Sequence, residues 1–177
     1  GTITSAGNLG GVRRSVTLAS SNLGVDVSDG GAGAGEFKIN GVSINYDTSK
    51  DSVNSILDRI NSSAAGVNAS YDATNDRFVL TNQLTGDVGV ALEDVSGNFL
   101  AATGLVSGTL TRGQNLVYSI DGGPNLTSQS NTITESSSGI AGLSISVAKA
   151  GSTKVSVETD TAKVRSALED FLTEFNK

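Results

Sequence analysis

The chain has 177 residues, a net charge of −6, 22 glycines, one proline, and no His, Cys, Met or Trp. Lacking His and Cys, it has no imidazole acid or base and no Ser-His-Asp or Cys-His nucleophile. The acidic balance, with Arg13-Arg14 the only adjacent basic pair, argues against nucleic acid or an anionic membrane as partner.

No apolar run of about 18 residues is present, so no membrane-spanning helix and no membrane insertion are expected. The length suits one good core or two small ones. Abundant Val, Ile, Thr and Ser beside so many glycines read as short strands joined by turns, not as a disordered chain. The core should be Val, Leu, Ile and Ala.

In chain order, residues 1 to 24 carry apolar points at Leu9, Val12, Val16, Leu18 and Leu23 and admit one strand at 15–19. Asp29 to Gly35 reads as a glycine loop or domain seam. The next stretch, FKINGVSINYDTSKDSVNSILDRINSSAAGVNASYDATNDRF from Phe37, is the most legible. Phe37 and Ile39 alternate with a polar residue, as do Val42 and Ile44, and Asn40-Gly41 between them supplies the two positive-φ positions of a type I′ turn. That turn predicts pairing of Ile39 with Val42 and of Phe37 with Ile44.

Thr48 and Asp51 fit a capping box that opens a helix over 51–65. Val53, Ile56, Leu57, Ile60 and Ala64 form its apolar stripe, and Gly66 closes it. Val67, Ala69 and Tyr71, then Phe78 and Leu80, predict a second hairpin around Asp72 to Asp76. Val88 to Leu92 alternates, Glu93 to Gly97 reads as a turn, and 98–103 as a short helical turn ending at Gly104.

Beyond Gly108 the pattern is a β-meander. Leu116, Tyr118 and Ile120 alternate, Asp121 to Pro124 turns, and 126–133 reads as a second strand. Leu143, Ile145 and Val147 predict a third strand, and Val155 with Val157 a fourth. At Asp160 the period changes. Val164, Leu168, Phe171 and Phe175 recur at four, three and four residues, with Ala167 and Leu172 alongside, as a heptad-like helical seam. These four residues are the candidate helix–helix interface. The helix still running at Lys177, and the missing initiator Met, read as part of a longer chain.

Oxygen-rich clusters are few. Asp72 with Asp76, and Glu93 with Asp94, are conceivable carboxylate pairs, but turn acids usually bond their own backbone. Asp26 to Asp29 and Asp72 to Asp76 lack the spacing of a calcium loop. Gly31 to Gly35 precedes a strand rather than a helix, unlike a phosphate fingerprint. The reading is a non-enzyme with no metal and no cofactor.

The stretch from Phe37 resembles the hook IN motif of flagellar axial proteins. GNFLAATGL (97–105), GQNLVYSIDGG (113–123), LTSQSNTITESSSGIAGLSISV (126–147) and DTAKVRSALEDFLTEFNK (160–177) resemble the filament cap, the hook-associated protein 2 family. Flagellin also carries hook IN motifs; the later blocks favour the cap. The resemblance implies a secreted structural protein that forms a ring-shaped homo-oligomer at the distal filament tip and promotes flagellin insertion. It further implies export by flagellar type III secretion without a cleaved signal, an export chaperone as partner, and in some members adhesion to host mucin or glycan. A flagellin-type filament subunit or a carbohydrate-binding adhesin module are the alternatives.

The expected fold is α+β, mostly β: two small β-rich domains of antiparallel hairpins, one carrying a packed helix. The inserted α+β domain is placed at 25–107, the second β domain at 1–24 and 108–159, and the start of a helical stalk, a coiled-coil stub, at 160–177.

Overall fold

The computed structural model describes residues 1–156 and 161–176. It is mostly antiparallel β with short helices and divides into two compact units, Gly1–Asn131 and Thr132–Lys177.

In the first unit, strands run β1 (Thr2–Thr4), β2 (Gly35–Ile39), β3 (Val42–Tyr46), then helix α1 (Val53–Asn61). Next come β4 (Val67–Asp72), β5 (Arg77–Asn82), β6 (Leu92–Ser96), helix α2 (Phe99–Ala102), β7 (Thr109–Thr111), β8 (Leu116–Tyr118) and β9 (Leu126–Ser128). A four-stranded sheet has the order β4-β5-β1-β7, a three-stranded sheet the order β3-β2-β6, and β8 pairs with β9 alone.

The Asn40-Gly41 hairpin forms as its sequence predicts. The two turn residues have φ of 50° and 82°, and the register pairs Ile39 with Val42 and Phe37 with Ile44. Phe37, Ile39 and Ile44 are buried, and Val42 is half-buried at the rim. The second hairpin pairs Tyr71 with Phe78 and Asp72 with Arg77.

Helix α1 starts later than Thr48. Its cap is Ser52, whose Oγ accepts from Ser55 N at 3.2 Å while Ser55 Oγ accepts from Ser52 N at 2.9 Å, a capping box four residues downstream of the expected one. Thr48 is diverted because its hydroxyl donates to Asp29 at 2.8 Å. The helix also ends sooner, at Asn61 with Ser62 as cap. Ala64 is exposed, Ala65 is buried instead, and Gly66 (φ 68°) turns the chain into β4.

Val53, Ile56, Leu57 and Ile60 bury the helix stripe in one cluster with Phe37, Val67, Phe78, Leu80, Phe99 and Leu100. Phe37 stacks on Phe99 with centroids 4.9 Å apart, and Phe78 meets Phe99 edge-on at 6.5 Å. Aromatics are few, but Phe37, Tyr46, Phe78 and Phe99 sit at the centre, where each contributes most area.

Three local expectations change. Residues 15–19 form no strand; Thr17 makes one bridge to Ser52, and Leu18–Ser20 is a 3₁₀ turn. Glu93 to Gly97 is not a turn: Leu92–Ser96 is strand β6, with a register shift opposite Glu36 and Phe37 that leaves Val95 45% exposed. The stretch 126–133 breaks into β9 and a further strand in a different sheet. The glycine loop 29–35 leads directly into β2.

Sequence reading places domain boundaries at 24/25 and 107/108. In the structure, buried contacts cross the first of these, because Ile3, Leu18 and Leu23 share the cluster of Phe37. Strand β1 lies between β5 and β7, pairing Ile3 with both Leu80 and Leu110.

The second unit contains β10 (Thr132–Thr134), helix α3 (Glu135–Ser138), β11 (Ser144–Ser146) and helix α4 (Thr161–Phe175). Strands β10 and β11 pair antiparallel, with Ile133 opposite Ile145. Thr134 caps α3 reciprocally with Ser137, and Gly139 closes it in the left-handed conformation at φ 72°. Residues 151–156 form no strand; the expected partner position Val157, and Asp160, lie outside the described residues.

Candidate functional site

Asp29, Asp72, Asp76 and Asp94 are committed to holding backbone or a neighbouring cation, and Glu93 faces Lys38. Asp76 accepts from the backbone N–H groups of Gly10 (2.9 Å), Gly11 (2.8 Å) and Val12 (3.3 Å), and from the Tyr71 hydroxyl. Burial pushes its carboxyl up, but these donors outweigh that and hold it below the usual range. Burial, helped by Asp76 alongside, pushes the Tyr71 phenol up to about 12. Asp72 accepts from Thr74 N, Asn75 N, Asn75 Nδ2 and Arg77 Nε.

Asp94 accepts from Leu100 N and Ala101 N at 2.9 and 3.0 Å, tying β6 to α2, while Glu93 lies 3.9 Å from Lys38. Asp29 binds Gly31 N, Thr48 N and Thr48 Oγ1. These contacts tether loops to strands.

An open depression of about 560 Å³ is lined by Ile44, Tyr46, Asp47, Lys50, Asp51 and Arg59, among others. Its charges satisfy one another. Arg59 grips Asp51 with two nitrogens at 2.8 and 3.1 Å, and Lys50 meets Asp47 at 2.7 Å. Lys50 and Ser49 hold the Asp47 carboxyl at about 2. Among the described residues, no group of three or more His, Cys, Asp or Glu is placed to hold a metal ion. Among them, too, no helix is long and apolar enough to cross a membrane.

The unsatisfied surface is instead on α4. Val164, Leu168, Phe171 and Phe175 are 64%, 58%, 63% and 77% exposed, and Leu172 beside them is 49% exposed. The helix geometry puts them on one side, since residues three and four apart are neighbours. Phe171 and Phe175 stack at 6.1 Å between centroids. Away from the seam, Arg165 pairs with Glu169 at 2.7 Å. So the four residues expected as a seam are brought together, and Leu172 widens it. Leu84, Val106 and Val117 are also exposed apolar residues, in the first unit, that sequence periodicity does not flag.

The chain matches two family models in tandem. Residues 36–83 match the flagellin hook IN motif, which spans β2 through β5 with the packed helix. Residues 113–177 match the flagellar hook-associated protein 2 C-terminus. Over these residues the chain is similar to flagellar hook-associated protein 2.

It is 39% identical over 92 residues to flagellar hook-associated protein 2 of Thermotoga maritima, a match taking in 50% of this chain and 15% of that relative. The chain therefore spans only a small part of that relative's length. The fold is shared with crystal structures of the D2-D3 domains of the flagellar cap protein FliD from Serratia marcescens. In one crystal form the TM-score is 0.58 at 18% identity, covering 86% of this chain and 81% of that one. In a second form it is 0.52 at 16% identity, covering 86% and 88%. The α+β, mostly β class expected from sequence holds for this chain.

Proposed function

We propose that this chain serves a flagellar filament cap, as a structural part of a homo-oligomer at the distal tip that engages flagellin and assists its insertion. The observation that carries the reading is order within one chain: a hook IN module at 36–83 followed by the hook-associated protein 2 C-terminal region at 113–177. A hook IN match by itself also suits a flagellin-type filament subunit; the second match favours the cap.

The bare α4 seam supports a role in assembly. An apolar stripe over 15 residues, open to water, is what a helix looks like before its partner packs on it. The absence of Cys accords with export of an unfolded chain by the flagellar type III route, with a chaperone as escort.

Complementation tests the proposal. Full-length protein is supplied to a strain lacking its own cap, and filaments are counted by electron microscopy while flagellin in the medium is quantified. Restored filaments and reduced flagellin leakage are expected. Full-length protein that is exported but leaves the strain bald and leaking flagellin overturns the cap reading.

A further inference from the structure

Two turns in this chain share one backbone conformation and differ in what holds their first residue. At Asn40-Gly41 the φ values are 50° and 82°; at Asp121-Gly122 they are 51° and 71°. The second turn is closed by Gly123 N donating to Ile120 O at 2.9 Å, and the exposed Asp121 carboxylate has no hydrogen-bond partner among the described residues.

Asn40 is held on both sides. Its backbone N donates to Ala91 O at 2.9 Å, and Ala91 N donates back to Asn40 Oδ1 at 2.9 Å, so the side chain completes one further step of the β2–β6 ladder. Its Nδ2 donates to Ala65 O at 2.8 Å, in the segment between α1 and β4. One exposed residue thus ties the hairpin tip to two other parts of the first unit.

Asn-Gly is also the dipeptide most prone to spontaneous deamidation, because glycine has no Cβ to screen its nitrogen. The Gly41 nitrogen, deprotonated by hydroxide, attacks Asn40 Cγ and a C–N bond forms. Nδ2 takes a proton and leaves as ammonia, and water opens the resulting succinimide at either carbonyl to give aspartate or isoaspartate. Attack requires Cγ to rotate toward Gly41 N, which pulls Oδ1 from Ala91 N and Nδ2 from Ala65 O.

We propose that Asn40-Gly41 is a modification site masked by folding, closed to deamidation in the native chain and open whenever the hairpin is unfolded. The product does not fit the native site. An aspartate in place of Asn40 would set a carboxylate oxygen against the Ala65 carbonyl, acceptor facing acceptor. An isoaspartate there would add a methylene to a two-residue turn whose length fixes the register. A chain that lingers unfolded therefore ages in one direction, at the turn that sets the register of the β2–β3 hairpin. This inference stands independently of the assembly reading.

The test puts both turns in one molecule. Asp121→Asn makes a second Asn-Gly turn of the same conformation without the anchors, and Asn tolerates positive φ. The full chain is incubated folded and in strong denaturant at neutral pH, and peptide mapping resolves asparagine, aspartate and isoaspartate at positions 40 and 121. In the folded chain, position 40 should react about tenfold or more slowly than position 121, the ratio expected if two hydrogen bonds must break first. In denaturant the two rates should converge. Equal rates in the folded chain, or an Asn40 that reacts as fast folded as unfolded, would overturn the proposal.

Discussion

Helices α1 and α4 are both amphipathic, yet one has its apolar face covered and the other does not. Val53, Ile56, Leu57 and Ile60 of α1 are at most 9% exposed, whereas the four seam residues of α4 are all at least 58% exposed. The difference lies in what surrounds them. The α1 stripe meets two sheets and a ring of aromatics, its N-terminus is capped by Ser52, and its flank is tied by Asn61 to both Ala69 N and Ala69 O. On α4, Arg165 and Thr173 both bond to Glu169 of the same helix. A helical stripe in sequence thus announces that a face will be buried without saying by what. In the first unit the same chain supplies the cover; for α4 we propose that assembly supplies it.

The largest expected effect tests the covered helix. Ile56→Ala should lower the first unit's unfolding free energy by about 2–5 kcal/mol in urea titration, by removing a fully buried side chain. Leu168→Ala on α4 should change that transition by no more than about 0.5 kcal/mol, as for an ordinary surface site. Equal effects would erase the distinction between the helices.

Next comes the loop tether. Asp76→Ala strands three backbone N–H groups and the Tyr71 hydroxyl and should cost about 1–3 kcal/mol. The sign with pH follows from its lowered carboxyl. The folded group binds its proton less readily than the unfolded one, so its contribution is full above the ordinary carboxylate range and fades as pH falls through the folded value. The gap between wild type and Asp76→Ala should therefore close in acid. A gap independent of pH from neutral to acid would show that the lost contacts were not those of a carboxylate.

A smaller effect sharpens the boundary of α1. Ser52→Ala should cost about 1 kcal/mol as loss of an N-cap. Helical circular dichroism and urea melts together would show whether Ser52, not Thr48, starts the helix. The smallest is Arg165→Ala, which removes one exposed i,i+4 pair and should shift α4 helicity by about 0.5 kcal/mol or less.

Much of this was legible because local chemistry and tertiary structure agree. Asn40-Gly41 fixes its hairpin to the residue, and the α1 and α4 stripes stand out at helical spacing. What escaped did so for physical reasons. Strand β1 offers three residues with one buried apolar side chain, Ile3, and is a strand only because β5 and β7 flank it. Strand β6 has the polar look of a turn because its bulge puts Val95 outward and Asp94 is used to hold α2. The start of α1 moved because Asp29, far away in sequence, takes the Thr48 hydroxyl. The α4 seam was visible in full, since heptad spacing needs no tertiary information; its partner is not written in its own sequence pattern.

Hydrogen exchange on the full-length protein, compared with the 177-residue chain, tests the central claim most directly. In the short chain, amides of 53–61 should be strongly protected and those of 161–175 should exchange quickly. In the assembled full-length protein, protection of 161–175 should rise toward that of 53–61, and Phe171→Glu should abolish the gain while leaving 53–61 unchanged. If 161–175 exchange as fast in the assembly as in the short chain, the seam is not an assembly interface and the account fails.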